Sequence, residues 1–230
     1  MSAKMTREEK LRARLAEMRR IEDELIAGGI VHIAGVDEVG RGPLAGPVCA
    51  ACVVLPHDFS VLGVDDSKKI SEKRREVLYD EITASALAWG VGLVGNRRID
   101  EINILNATKE AMVAAVREAG EMLRASAGDE SELAKERIID HLLIDAVELP
   151  EAGVPFTAIV KGDAQSVSIA AASIVAKVTR DRMMIDFDKV YPGYAFAQNK
   201  GYGTKAHYEG IKKLGLTPIH RRTFTQGSIQ

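Results

Sequence analysis

Apolar residues recur at helical spacing over residues 6–27, where Leu11, Leu15, Met18, Ile21 and Leu25 punctuate a segment otherwise rich in Arg, Glu and Lys. The pattern predicts an amphipathic helix, packed outside the rest of the chain and ended by Gly28-Gly29. The periodicity then shortens. Ile30 to Val36 and Val48 to Leu55 are continuous apolar, β-branched runs separated by a Gly/Pro-rich turn at 40–47, which predicts adjacent strands. A third run, Leu87 to Val94, predicts another. Between them Ser71 to Ala86 reads as a helix, and Ile99 to Leu123 reads as a second, with Ile102, Leu105, Met112, Val116, Ala119 and Leu123 on roughly one face. Ala125 to Lys135 predicts a surface loop. Leu142 to Asp145 and Phe156 to Val160 are short strands, and Gln165 to Val190 is a long helix whose alanine-rich start allows close packing on a sheet. Pro192 and Gly193 break it, and Lys205 to Leu214 makes a last helix. Strands followed by alternating helices and strands predict an α/β architecture with a mixed sheet.

Composition narrows this picture only a little. The 230 residues are 46% hydrophobic and 28% charged, as in an ordinary soluble globular protein, and the formal charge is −2. Such a charge gives no global attraction to a polyanion, yet its distribution is uneven. From Phe196 onward Lys200, Lys205, Lys212, Lys213, Arg221 and Arg222 face the single acid Glu209, leaving +5 in a stretch that interleaves Tyr202, His207, Tyr208 and His220. That mixture suits a surface that tracks phosphates. No apolar run is long enough to span a bilayer and no secretory apolar core is seen, so a cytoplasmic protein without membrane contact is expected. Cys49 and Cys52 lie three apart in a strand-like run, which sends them to opposite faces as buried hydrophobes. Gly90 to Gly95 matches the G-x-G-x-x-G dinucleotide fingerprint, but its glycines fall inside the apolar run rather than in a turn after it.

The chemistry is carried by acids placed where apolar segments run out. Asp37 and Glu38 close the first strand, Asp145 closes Leu142-Leu143-Ile144, and Asp163 follows Ile159-Val160-Lys161-Gly162. Strands of one sheet that deliver acids to a common edge make a cluster too electronegative to stay ionised without cations, and oxygen donors suit Mg²⁺.

Six motifs in order resemble the ribonuclease HII family. They are Gly35-Val36-Asp37-Glu38-Val39-Gly40-Arg41-Gly42-Pro43, Asp66-Ser67-Lys68-Lys69, Leu143-Ile144-Asp145, Lys161-Gly162-Asp163, the run Ala171 to Asp181, and Lys200-Gly201-Tyr202-Gly203-Thr204. The resemblance implies a ribonuclease H-like fold, a central mixed sheet flanked by helices, with residues 1–29 as a helical extension and 30–230 as the catalytic domain. A helical portion from about 191 to 230 then holds substrate. It implies that Asp37, Glu38, Asp145 and Asp163 bind two divalent ions, Mg²⁺ or Mn²⁺, roughly 3.5–4 Å apart. The implied substrates are RNA/DNA hybrids and duplex DNA with single ribonucleotides, cut on the 5′ side of the ribonucleotide by a monomeric enzyme. Gly40-Arg41-Gly42 would sense the ribose 2′-hydroxyl, Tyr202 would stack on the following sugar, and Lys68, Lys69, Ser166 and Lys177 would meet phosphates. The five histidines are left out of the chemistry. Ala146 stands where a glycine often follows the third acid, restricting the backbone there. Two alternatives stay open. One is a ribonuclease HIII-like hybrid nuclease, which usually shows Gly-Lys-Gly where this chain has Arg41. The other is a non-catalytic nucleic-acid-binding module, which would be expected to lack one of the acids.

Overall fold

The β-branched and alanine-rich runs pair into one sheet. A computed structural model describes residues 5–126 and 138–226; most of the loop expected over Ala125 to Lys135 lies outside them. Strands β1 (Ile33–Val39), β2 (Val48–Val54), β3 (Ala88–Val94), β4 (His141–Asp145) and β5 (Phe156–Ile159) form a sheet of order β3-β2-β1-β4-β5. The β1–β2 and β2–β3 pairs are antiparallel and the β1–β4 and β4–β5 pairs parallel, so the sheet is mixed as expected. β1 starts and ends three residues later than the apolar run predicts. It continues to Val39 because β2 goes on pairing with it through Asp37, Glu38 and Val39, whereas the pairs with β4 stop at Val36 and Ile144. Asp37 and Glu38 therefore sit inside a strand, at the point where its neighbour on the other side falls away.

The helix expected over 6–27 is two helices, α1 (Arg7–Met18) and α2 (Arg20–Ala27). The break falls at Arg19, whose guanidinium is committed across the chain to the carbonyls of His57 and Phe59. α3 (Glu72–Ser85) is capped by Ser71. α4 (Asn96–Ala125) is interrupted at Asn103, where φ is 67° and ψ 167°; the Asn103 side chain accepts from the backbone N–H groups of Leu105 and Asn106 and restarts the helix. α5 (Val167–Val190), α6 (Phe196–Asn199), α7 (Lys205–Leu214) and α8 (Arg222–Thr225) complete the described helices.

α4 covers one face of the sheet through Ala107, Ala111, Ala115 and Ala119, and α5 covers the other with α3 and α1. The glycines of β3 are the counterpart of those alanines. A Cβ on Gly92 would stand 1.8 Å from the Ala111 carbonyl oxygen and one on Gly90 2.4 Å from that of Ala115. The glycine pattern within β3 thus serves close packing of a helix rather than a phosphate turn. Gly35 plays the same part on the opposite face, where the first turn of α5 rests on β1: a Cβ there would meet the Ser168 carbonyl carbon at 2.0 Å. Cys49 and Cys52 are both fully buried, one in the core beneath α5 and one beneath α4. The C-terminal helices pack as a separate small cluster of Leu44, Ala45, Met184, Tyr194, Phe196 and Ile211 against the 40–47 turn.

Candidate active site

Sheet topology brings the four acids together. Asp37 lies on the central strand β1, Asp145 ends the parallel neighbour β4, and Asp163 sits in a 3-10 turn, Gly162–Ala164, between β5 and α5. Gly162 N–H donates to Asp145 Oδ1 at 2.7 Å, which docks that turn on the end of β4. Burial, with the charges of Glu38 and Asp145, pushes the Asp37 carboxyl well above the usual carboxylate range, against hydrogen bonds from Ser173 and the Glu38 N–H. Ser173 is held in turn by Ser67, Oγ to Oγ 2.8 Å. Burial also raises Glu38, opposed by Arg41, whose Nη1 lies 3.3 Å from Glu38 Oε1. Asp163 is raised by burial and then by Asp66 and Asp145, opposed by Lys68. Like charges so close in a desolvated trough favour proton uptake unless cations compensate.

The donor set fits hard divalent cations. Its side chains offer only carboxylate oxygens, and Glu38 Oε2 is buried without a hydrogen-bond partner, an acceptor aimed at nothing the protein supplies. Among the described residues no three candidate ligands already close on a single point.

Directly after Glu38 the chain enters the Gly40-Arg41-Gly42 turn. Gly40 has φ +92°, and a Cβ on it would lie 2.2 Å from Arg180 Nε, so both conformation and space demand glycine. Two buried arginines, with no carboxylate partner among the described residues, hold this turn by its carbonyls. Arg221 donates to Gly46 at 2.9 and 3.0 Å, to Arg41 at 2.8 Å and to Gly40 at 2.6 Å; Arg180 donates to Pro47 at 2.9 Å, Lys200 at 2.9 Å and Ala45 at 3.2 Å. Burial and the neighbouring Arg180 pull Arg221 down to about 9. The same turn receives Tyr202. Leu44 N–H donates to the Gly201 carbonyl at 2.8 Å, and the half-exposed Tyr202 ring lies against Gly42. Beneath Tyr202 runs a buried chain of groups: Thr217 N–H donates to His220 Nδ1 at 2.9 Å, the two histidines meet Nε2 to Nε2 at 3.0 Å, and His207 Nδ1 donates to the Tyr202 carbonyl at 2.9 Å. These partners require both rings neutral, and burial with the neighbouring His207 lowers His220 to about 4.

The expected phosphate-contact residues separate. Lys68 projects from the surface beside the acids, Nζ 3.7 Å from Asp163. Lys69 stands next to it, pairing with Asp65 and Asp66. Lys177 is largely enclosed and donates to Asp181 at 2.8 Å, so its charge is engaged inside the protein. Ser166 is not at a surface that a phosphate could reach: it is fully buried, caps α5 at Ile169 and donates to Glu22 Oε1 at 2.5 Å. Sequence reasoning missed Asp66, which faces Asp163, and the roles of Arg180 and Arg221. Asp66 and Arg180 both stood inside recognised motifs; what the sequence did not mark is that Arg180 and Arg221 are buried, since charged side chains rarely are.

The model of the ribonuclease HII family matches residues 34–227. Ribonuclease HII of Lachnoclostridium phytofermentans is 50% identical over 220 residues, 95% of this chain and 80% of the relative. That of Listeria innocua is 48% identical over 222 residues, 96% and 78%. The crystal structure of ribonuclease H2 from Pyrococcus horikoshii superposes with a TM-score of 0.64 at 25% identity, covering 86% of this chain and 97% of that one. A mixed sheet that gathers acids from β1, β4 and the turn after β5 beside a Gly-Arg-Gly turn thus coincides with a match over most of the sequence: this chain belongs to the ribonuclease HII family.

Proposed function

We propose that this hydrolase cleaves the RNA strand of RNA/DNA hybrids and cuts duplex DNA on the 5′ side of a single embedded ribonucleotide, leaving 3′-hydroxyl and 5′-phosphate ends. The observation that carries the reading is the contiguity of the acidic trough with the Gly40-Arg41-Gly42 turn and Tyr202. The turn begins two residues after Glu38, and Arg41 reaches back to that carboxylate. Backbone groups at the glycines can approach a ribose closely enough to read its 2′-hydroxyl, the group that distinguishes RNA from DNA locally. The Tyr202 ring offers a flat apolar surface to the next sugar, and Arg180 and Arg221 keep turn and ring from drifting apart. Lys68 and Lys69, with the basic C-terminal portion, track the phosphates and supply much of the affinity.

Asp37, Glu38, Asp145 and Asp163 would hold two divalent ions, Mg²⁺ or Mn²⁺, which supply activation of water and stabilisation of the departing 3′-oxygen. Residues 30–230 form the catalytic domain in this reading, with about 191–230 as its substrate-binding portion. The enzyme works as a monomer in the cytoplasm; no helix among the described residues is long and apolar enough to cross a membrane.

Single-turnover cleavage of a duplex containing one ribonucleotide, beside a continuous hybrid and an all-DNA duplex, tests the proposal. Cutting 5′ of the ribonucleotide with Mg²⁺ or Mn²⁺ is expected, abolished by EDTA and lowered more than a hundredfold by Asp37→Asn, while duplex binding persists or tightens. Cleavage of the hybrid with the single-ribonucleotide duplex left intact would favour the ribonuclease HIII-like reading, and Asp37→Asn retaining a tenth of the rate would displace the carboxylate from the chemistry.

A further inference from the structure

The N-terminal helices α1 and α2 touch the backbone segments that carry two of the acidic groups. Arg14 on α1 donates Nε to Asp65 Oδ2 at 2.9 Å and Nη2 to Asp65 Oδ1 at 3.1 Å, and the same Nη2 donates to the Ala164 carbonyl at 2.8 Å. Asp65 precedes Asp66, and Ala164 follows Asp163. One planar guanidinium therefore bridges two segments about a hundred residues apart, at the place where their carboxylates face each other. A second tie lies on α2. Glu22, itself buried, accepts at Oε1 from Ser166 Oγ at 2.5 Å, Ser168 Oγ at 2.7 Å and Ser168 N–H at 3.0 Å, placing a carboxylate against the first turn of α5. Leu15 and Met18 are buried with Val167 and Ala171 of that helix, while Ile21 and Leu25 pack on Ile33, Leu143 and Ile169. The extension is thus seated on the chain that runs from Asp163 into α5, not on a remote surface as its sequence alone suggests.

We infer that Arg14 is a positioning residue for the acidic cluster, fixing the distance between Asp66 and Asp163, with Glu22 locking the helix that follows. The inference rests on the carboxylates being the reaction centre, as proposed above. It assigns to the N-terminal helices a share in ion affinity and turnover, and none in holding the duplex.

Arg14→Met keeps the aliphatic stem and removes the bridge. The expected result is a Mn²⁺ affinity, measured calorimetrically without nucleic acid, weakened about three- to tenfold, and a single-turnover rate at saturating ion lowered about ten- to a hundredfold, the scale of a 1 Å misplacement. Duplex affinity in Ca²⁺ should stay within twofold. Arg14→Lys, which retains charge but cannot span Asp65 and Ala164 together, should fall between, and it carries the test should Arg14→Met not fold. Arg12→Met, on the same helix but exposed and paired among the described residues with Glu8 alone, is the control expected to match the unsubstituted protein. The ion titration needs no substrate, so its outcome is independent of the substrate assignment. Unchanged ion affinity with an unchanged rate in both Arg14 variants would overturn the inference. So would a rate loss that tracks only the fraction unfolded and vanishes at lower temperature.

Discussion

Adding one methyl group to Gly35 should disable the enzyme by wedging α5 off the sheet. The Cβ of Gly35→Ala would lie 2.0 Å from the Ser168 carbonyl carbon, 2.1 Å from its oxygen and 2.3 Å from Ile169 N. Ordinary contact begins near 3.4 Å, so the first turn of α5 must retreat by roughly 1.4 Å. The obstacle is backbone on both sides, which cannot rotate away as a side chain could. Overpacking of this kind costs about 3 kcal/mol, the upper end of the usual range. For a chain of this size, at about 2–4 °C per kcal/mol, the melting temperature should drop by roughly 6–12 °C. The functional loss should be larger than the unfolded fraction explains. Asp37 lies two residues along the same strand and Asp163 lies just ahead of the displaced turn, so their separation changes by about the same distance, enough for about a hundredfold in rate. The assay is single-turnover cleavage of a single-ribonucleotide duplex at a temperature where circular dichroism shows the variant folded. Gly120→Ala in α4 is the matched control: its Cβ would meet nothing closer than 3.9 Å, and replacing a helix-interior glycine should stabilise by about 0.5–1 kcal/mol without altering the rate. A Gly35→Ala protein with melting temperature within 2 °C and rate within threefold of the parent would refute the claim that α5 is pressed on β1 and sets the acid geometry.

Ala146 holds φ +51° directly after Asp145, so Ala146→Gly should relieve left-handed strain, raising stability by about 0.5–1 kcal/mol in thermal melts after the entropy of the unfolded glycine is allowed for. Tyr202→Ala should lower single-ribonucleotide cleavage at least tenfold more than cleavage of a continuous hybrid in Mn²⁺, with the salt slope of binding unchanged; equal losses would reduce the ring to packing. The buried His207–His220 pair makes stability fall in acid. His220 titrates near 6.5 when unfolded but at about 4 when folded, so the folded state binds fewer protons in that window and its melting point should decline from pH 6.5 toward 4. His220→Gln should flatten that decline.

The strand and helix pattern was legible because each core element repeats its apolar positions at the right period, and the acids were legible because each interrupts such a run. Boundaries at the site were not. β1 runs on through Asp37 and Glu38 because β2 continues to pair with it, and pairing partners leave no local mark on the sequence. The break at Asn103 was hidden within a helical pattern, since one asparagine that caps its own successor looks like any polar helical residue. Arg180 and Arg221 were hidden for a different reason. A guanidinium satisfied wholly by carbonyls of a folded turn depends on a tertiary shape, and charge in a sequence ordinarily signals surface. Arg14 and Glu22 carry no mark of their own in a segment rich in Arg, Glu and Lys, for the same cause.

The parallel pairing of β1 with β4 decides when this nuclease comes into being. The β1–β2–β3 meander and α4 are made of near neighbours in sequence and bury their own core, so they can organise while the remainder is still being synthesised. Asp37 and Glu38 are then present, but Asp145 and Asp163 have yet to leave the ribosome, and β4 must slot in beside β1 across a separation of more than a hundred residues. A growing chain that has not reached residue 145 carries only half of the carboxylates, and one that has not reached residue 163 lacks the last of them. On the function proposed above, the pairing with the largest sequence separation in the sheet is also the one that brings Asp145 beside Asp37, so a fragment cut ahead of β4 holds an incomplete set of acids.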